Sequence, residues 1–144
     1  MRITNRYAGT YKIEEKLEAG IALLGSEVKA LRAGHADISG AYIRISGRQA
    51  FLVNGKIFPY KFARVEGYQE DRFRKLLLHK KEILALKSKM DQGKFTIIPM
   101  AIYLKDDNFK IEIALALSKN KGEKHKDAKK KAIERDMDRE LKNY

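Results

Sequence analysis

Apolar and polar positions alternate with strand period over much of residues 11–117; two stretches of helical period interrupt the pattern, and it ends abruptly beyond Ser118. Residues 11–17 alternate imperfectly and run past Gly20 into Ile21-Ala22-Leu23-Leu24, which predicts one strand bent at the glycine. Ser26 is placed to cap a short helix over residues 27–33, with Val28 and Leu31 facing a core and Gly34 ending it. Strands at 41–45 and 49–53 flank Ser46-Gly47-Arg48, and strands at 101–105 and 109–114 flank Asp106-Asp107-Asn108, so two hairpins are expected. Between them, Lys80 to Met90 carries Ile83, Leu86 and Met90 on one helical face and stops at Gly93. Residues 95–98 read as a further strand ending at Pro99, and Pro59 stands at a loop entry.

Short antiparallel strands with two or three short helices predict a mainly β fold, an OB-like antiparallel β-barrel over residues 1–117, although an SH3-like barrel fits the same pattern. Residues 118–144 form a basic C-terminal tail. Residues 119–131 hold seven lysines against Glu123 and Asp127, too little apolar surface to offset their own ordering entropy, so the tail is expected to be disordered when free. Further on, Ile133, Met137 and Leu141 recur at four-residue spacing with Ala128 and Ala132 adjoining. That segment either turns helical on a partner or stands as a solvated charged helix.

Composition narrows the partner. With 31 Lys+Arg against 19 Asp+Glu in 144 residues, the formal net charge is +12, which favours a polyanion, with nucleic acid ahead of acidic lipid. The chain has no Cys, so disulfides, thiolate metal sites and cysteine nucleophiles are excluded, and a reducing cytoplasmic location is expected. No apolar run reaches the roughly 18 residues of a membrane span, and the polar start is not followed by the apolar stretch of a secretion signal. A soluble monomer without membrane association is expected.

Catalytic chemistry finds little purchase. His35, His79 and His125 fall in no metal-ligand spacing, Gly93-Lys94 lacks the remainder of a phosphate-binding loop, and the neighbouring pairs Asp106-Asp107 and Glu14-Glu15 read as a turn and a strand edge. No enzyme activity, metal or cofactor is expected. What remains is basic sequence interleaved with aromatics at Arg6-Tyr7, at residues 60–64 and at Arg72-Phe73-Arg74-Lys75. Cations there would neutralise phosphates and exposed rings would stack on bases, while some of the rings must fill the core.

The block EAGIALLGSEVKALR at residues 18–32 resembles the EAGIxLxGxEVKSLR signature of the SsrA-binding protein (SmpB) family, and RKLLLHKKEI at residues 74–83 resembles that family's RKLLLHKxEI. Order and surroundings match from about Asn5 to Ala116. The resemblance implies an OB-like barrel that binds the tRNA-like domain of transfer-messenger RNA and brings it to stalled ribosomes, without catalysis of its own. It carries RNA contacts onto Glu18, Leu77, His79 with the adjoining Lys80, and Lys110, and onto Asn5 as the N-terminal asparagine. Glu18 is expected to accept hydrogen bonds from base amino groups and Lys110 to meet the RNA backbone. The tail keeps the family's ending at residues 135–140 but blurs its central motif, with His125 or Lys126 in place of the stacking residue. Lys119, Lys121, Lys124 and Lys129 are expected to contact phosphates of the small ribosomal subunit's RNA, in the empty decoding site and mRNA channel. A sequence-tolerant binder of single strands is the alternative.

Overall fold

The computed structural model describes residues 2–60 and 66–118. In chain order these form β1 (Arg2–Thr4), a single 3-10 turn (Ala8–Thr10), β2 (Tyr11–Ile21), α1 (Gly25–Arg32), β3 (Ala36–Asp37), β4 (Tyr42–Ser46), β5 (Gln49–Val53), β6 (Lys56–Ile57), β7 (Arg74–Leu77), α2 (Lys80–Asp91), β8 (Thr96–Lys105) and β9 (Asn108–Ser118). Seven strands pair antiparallel in the order β1-β8-β9-β2-β7-β5-β4, and β3 with β6 makes a separate ribbon. The sheet curls until β4, at one end, packs against β8 near the other. No ladder joins those two strands among the described residues. The concave side holds the main core, including Ile38, Ile43, Leu52, Leu76, Ile97, Ile102, Ile111 and Ile113, with Leu31 of α1 and Leu86 of α2 packed into it. Each such side chain contributes about 1.5–3 kcal/mol relative to exposure.

Both hairpins form where the turn residues stand. Gly47, at φ 61°, closes β4–β5 with Arg48, and Asp106 and Asp107, at φ 51° and 64°, close β8–β9 as a two-residue turn of the primed type. The helices also stand near their expected bounds. The cap of α1, however, is Leu24, whose backbone N–H donates to Glu27 Oε1 at 2.8 Å, while Ser26 lies inside the first turn. A carboxylate three residues into the helix satisfies the N–H of the cap residue itself, where the sequence suggests a hydroxyl at the cap accepting an N–H of the first turn.

Three strand features differ from the sequence expectation. The irregularity of β2 falls between Ile13 and Glu15, where the register against β9 shifts, and not at Gly20, which pairs regularly with Lys110 and Leu77. Pro99 does not end a strand: β8 runs through it, and the register slips just beyond, between Pro99 and Ala101. That bulge frees the carbonyls of Pro99 and Met100, which accept from the side-chain amide and the backbone N–H of Asn5, both at 2.9 Å. The third difference is β7, formed from what reads in sequence as basic surface: Arg74 is wholly buried.

Among the described residues no helix is long and apolar enough to cross a membrane. The tail, with Lys119, Lys121, Lys124, His125 and Lys129, lies outside the described residues.

Candidate nucleic-acid interface

The rigidity of the site begins with a buried charge cluster. Glu27 points inward from α1 with a fully buried side chain and meets two guanidiniums, Arg74 of β7, equally buried, and Arg72 just before it, about three-quarters covered. Arg74 spends its five N–H donors on Glu27 Oε2 (2.8 Å), the carbonyls of Gly55 (2.8 Å), Arg72 (3.1 Å) and Glu70 (2.8 Å), and the Tyr68 hydroxyl (3.2 Å). Burial pushes the Glu27 carboxyl up, but the Arg72 hydrogen bond, the Leu24 N–H and the Arg74 charge outweigh it, and the group sits below its ordinary value. The cluster ties α1, β7 and the Gly55 turn into one body and fixes which face of β7 looks outward.

Alternation then decides what β7 displays. Leu76 turns into the core, and Leu77 faces outward, 58% exposed. It is tolerated there because its neighbour on β2 is Gly20: a Cβ at that position would stand 3.1 Å from Leu77 Cβ. Register carries the row onward across the convex face. Leu77 is level with Gly20, Gly20 with Lys110, Lys110 with Tyr103, and Tyr103 with Arg2 on β1. One level along, Glu18 pairs with Glu112.

Glu18 leans over β9 to the far strand. The Tyr103 hydroxyl donates to its Oε2, and the Lys105 ammonium stands 3.1 Å from its Oε1. The Tyr103 hydrogen bond first, then that of Lys105, hold the carboxyl below the ordinary glutamate value. In return Tyr103, desolvated and facing the carboxylate, is pushed up to about 12. The Arg2 guanidinium stacks 5.2 Å above the Tyr103 ring and lies 3.9 Å from Glu112.

Of the residues that the sequence singles out, Glu18, Leu77 and Lys110 therefore converge on one patch although they come from three strands. His79 and Lys80 follow Leu77 directly, both exposed; His79 is the N-cap of α2, its backbone N–H donating to Glu82 Oε1 at 2.9 Å. Asn5 is set apart. It is 7% exposed, and its Oδ1 accepts the Tyr7 N–H at 2.9 Å while its amide holds Pro99, so it fixes the turn that carries Arg6 and the exposed Tyr7. Arg2, Tyr103 and Lys105 were not among the expected contacts. The alternation of residues 101–105 does place Tyr103 and Lys105 on one face, but only the register brings that face to Glu18.

Among the described residues no group of three His, Asp or Glu side chains gathers as a metal site. The family model for the SmpB protein matches residues 2–143. The chain is 48% identical over 139 residues to the SsrA-binding protein of Persephonella marina, covering 96% of this chain and 89% of that one. It is 44% identical over 133 residues to the SsrA-binding protein of Pelobacter propionicus, covering 92% and 88%. A chain solved in work on tmRNA–SmpB in the bacterial ribosome superposes with a TM-score of 0.71 at 40% identity, covering 92% of this chain and 94% of that one.

Proposed function

The chain belongs to the SmpB family, and from that premise we propose that it is the RNA-binding adaptor of trans-translation, carrying transfer-messenger RNA to stalled ribosomes. The folded part binds the tRNA-like domain; the tail from residue 118 onward occupies the vacant decoding site and mRNA channel. We read the curled sheet as an OB-like barrel, supported by the packing of β4 against β8. The protein supplies affinity and geometry and performs no chemistry of its own, and its place of work on the ribosome is cytoplasmic.

The observation that carries this reading is the row Leu77–Gly20–Lys110 with Glu18 beside it. An exposed leucine against a glycine makes a low apolar step on which a base or ribose can rest without desolvating a charge. Lys110 meets the phosphate backbone, and Glu18 accepts hydrogen bonds from base amino groups, which a phosphate-seeking cation cannot do. Lys80 continues the positive edge from the step onto α2, with the exposed His79 beside it. In the tail, Lys119, Lys121, Lys124 and Lys129 supply charge and His125 a ring for stacking.

Selectivity tests the reading. The purified protein is expected to bind the tRNA-like domain of transfer-messenger RNA at physiological salt at least about a hundredfold more tightly than random duplex DNA, well outside the range of charge alone. Adding it to a reconstituted translation system with a stalled ribosome should restore tagging of the nascent chain. Equal binding of both nucleic acids would replace the adaptor by a general nucleic-acid binder.

A further inference from the structure

We propose that Tyr103 is the positioning residue for base readout by Glu18, its hydroxyl pinning one carboxylate oxygen so that the other faces the RNA in a fixed direction. This rests on the reading of Glu18 as a base contact. A glutamate on an exposed strand has three free torsions, and a carboxylate that swings reads nothing in particular; each torsion frozen in the free protein is an entropy cost that binding no longer meets. Here the hydroxyl of Tyr103 reaches Oε2 from two strands away, and the ring is itself held by Arg2 stacked at 5.2 Å. The second oxygen, Oε1, has Lys105 at 3.1 Å. That lysine is half exposed on a flexible stem, so it serves as an exchangeable cation that a base amino group can displace, freeing the ammonium for a phosphate.

Around Glu18, strand β8 contributes Tyr103 and Lys105, β9 contributes Lys110 and Glu112, β2 itself contributes Lys16, and β1 contributes Arg2, which draws off the Glu112 charge at 3.9 Å. Tyr103 is the largest influence that favours the ionised form, and it does so by hydrogen bonding. Removing its hydroxyl raises the Glu18 value toward that of a free glutamate, so the ionised acceptor is lost at a higher pH.

The test is a double-mutant cycle in the full-length protein, read as affinity for the tRNA-like domain RNA. Tyr103→Phe keeps the ring under Arg2 and is expected to weaken binding about three- to tenfold at pH 7, in line with a hydrogen bond to a charged group on an open surface. In a Glu18→Ala background the same change is expected to cost less than about twofold, because the side chain it acts through is gone. Between about pH 4 and 7, the affinity of Tyr103→Phe should begin to fall at a higher pH than that of the wild type, a displacement that looser packing would not produce. Equal losses in both backgrounds, or superposable pH profiles, overturn the assignment of Tyr103. A wild-type protein that does not prefer the tRNA-like domain overturns instead the functional reading on which it rests.

Discussion

Two guanidiniums and the start of a helix depend on the single carboxylate of Glu27. Glu27→Gln preserves the shape and removes the charge, leaving Arg72 and Arg74 facing each other around a neutral amide. Breaking a buried pair in this way costs about 3–5 kcal/mol, to be read as a lower denaturant midpoint at unchanged slope. The sign of its pH dependence follows from the lowered Glu27 value. The stabilisation is complete above the ordinary glutamate range near 4.5 and disappears as pH falls through the lower folded value, so the gap between wild type and Glu27→Gln should close on acidification. A gap that stayed constant from pH 7 to pH 3 would show that shape, not charge, is what Glu27 provides. The same cluster marks the limit of sequence reasoning: Arg72-Phe73-Arg74 reads as basic surface, and nothing local says that its counter-ion lies 45 and 47 residues upstream on a helix.

At the scale of elements, the convergence of Leu77, Gly20 and Lys110 depends on register, and register has a local guard. Gly20→Ala places a Cβ 3.1 Å from Leu77 Cβ and 3.2 Å from its Cδ1, tighter than ordinary contact. Leu77 is more than half exposed, so its Cγ and Cδ1 can rotate outward, but its Cβ is fixed to β7 and the two strands must part there by a few tenths of an ångström; the fold should survive with a loss of about 1 kcal/mol. The apolar step is nevertheless displaced, and RNA affinity is expected to fall about tenfold, roughly 1.4 kcal/mol. Calorimetric melting alongside RNA titration separates the two effects; a melt lowered with affinity unchanged would remove Leu77 from the interface. The hairpins were legible in sequence because their turns are written in Gly47 and in Asp106-Asp107, and α2 because Ile83 and Leu86 keep helical spacing. The bulges were not, since Pro99 inside a strand is acceptable only once Asn5 is seen taking the carbonyls beside it. The site residues came from matched motifs. Their convergence is a property of the three ladders joining β7, β2, β9 and β8, which no single segment encodes.

For the whole molecule, charge separates two tasks. Of the net +12, residues 119–144 hold only +4, ten basic side chains against six acidic, so the larger part of the positive field stays with the folded portion when the tail is removed. Truncation after Ser118, where β9 ends, leaves the ladder from Tyr11 to Gly20 intact together with Glu18, Leu77 and Lys110. Affinity for the tRNA-like domain should therefore change by no more than about tenfold, near 1.4 kcal/mol, and its salt dependence should fall only modestly. Tagging of a stalled nascent chain should be abolished, because the ribosomal contacts assigned to the tail act at the high effective concentration that tethering to a bound RNA provides. Supplying the tail as a separate peptide at micromolar concentration should not restore tagging, since the linkage and not the mere presence of the lysines makes the second contact favourable. Equal loss of RNA affinity and of tagging would place the tail within the primary RNA site and dissolve the division of labour between sheet and extension.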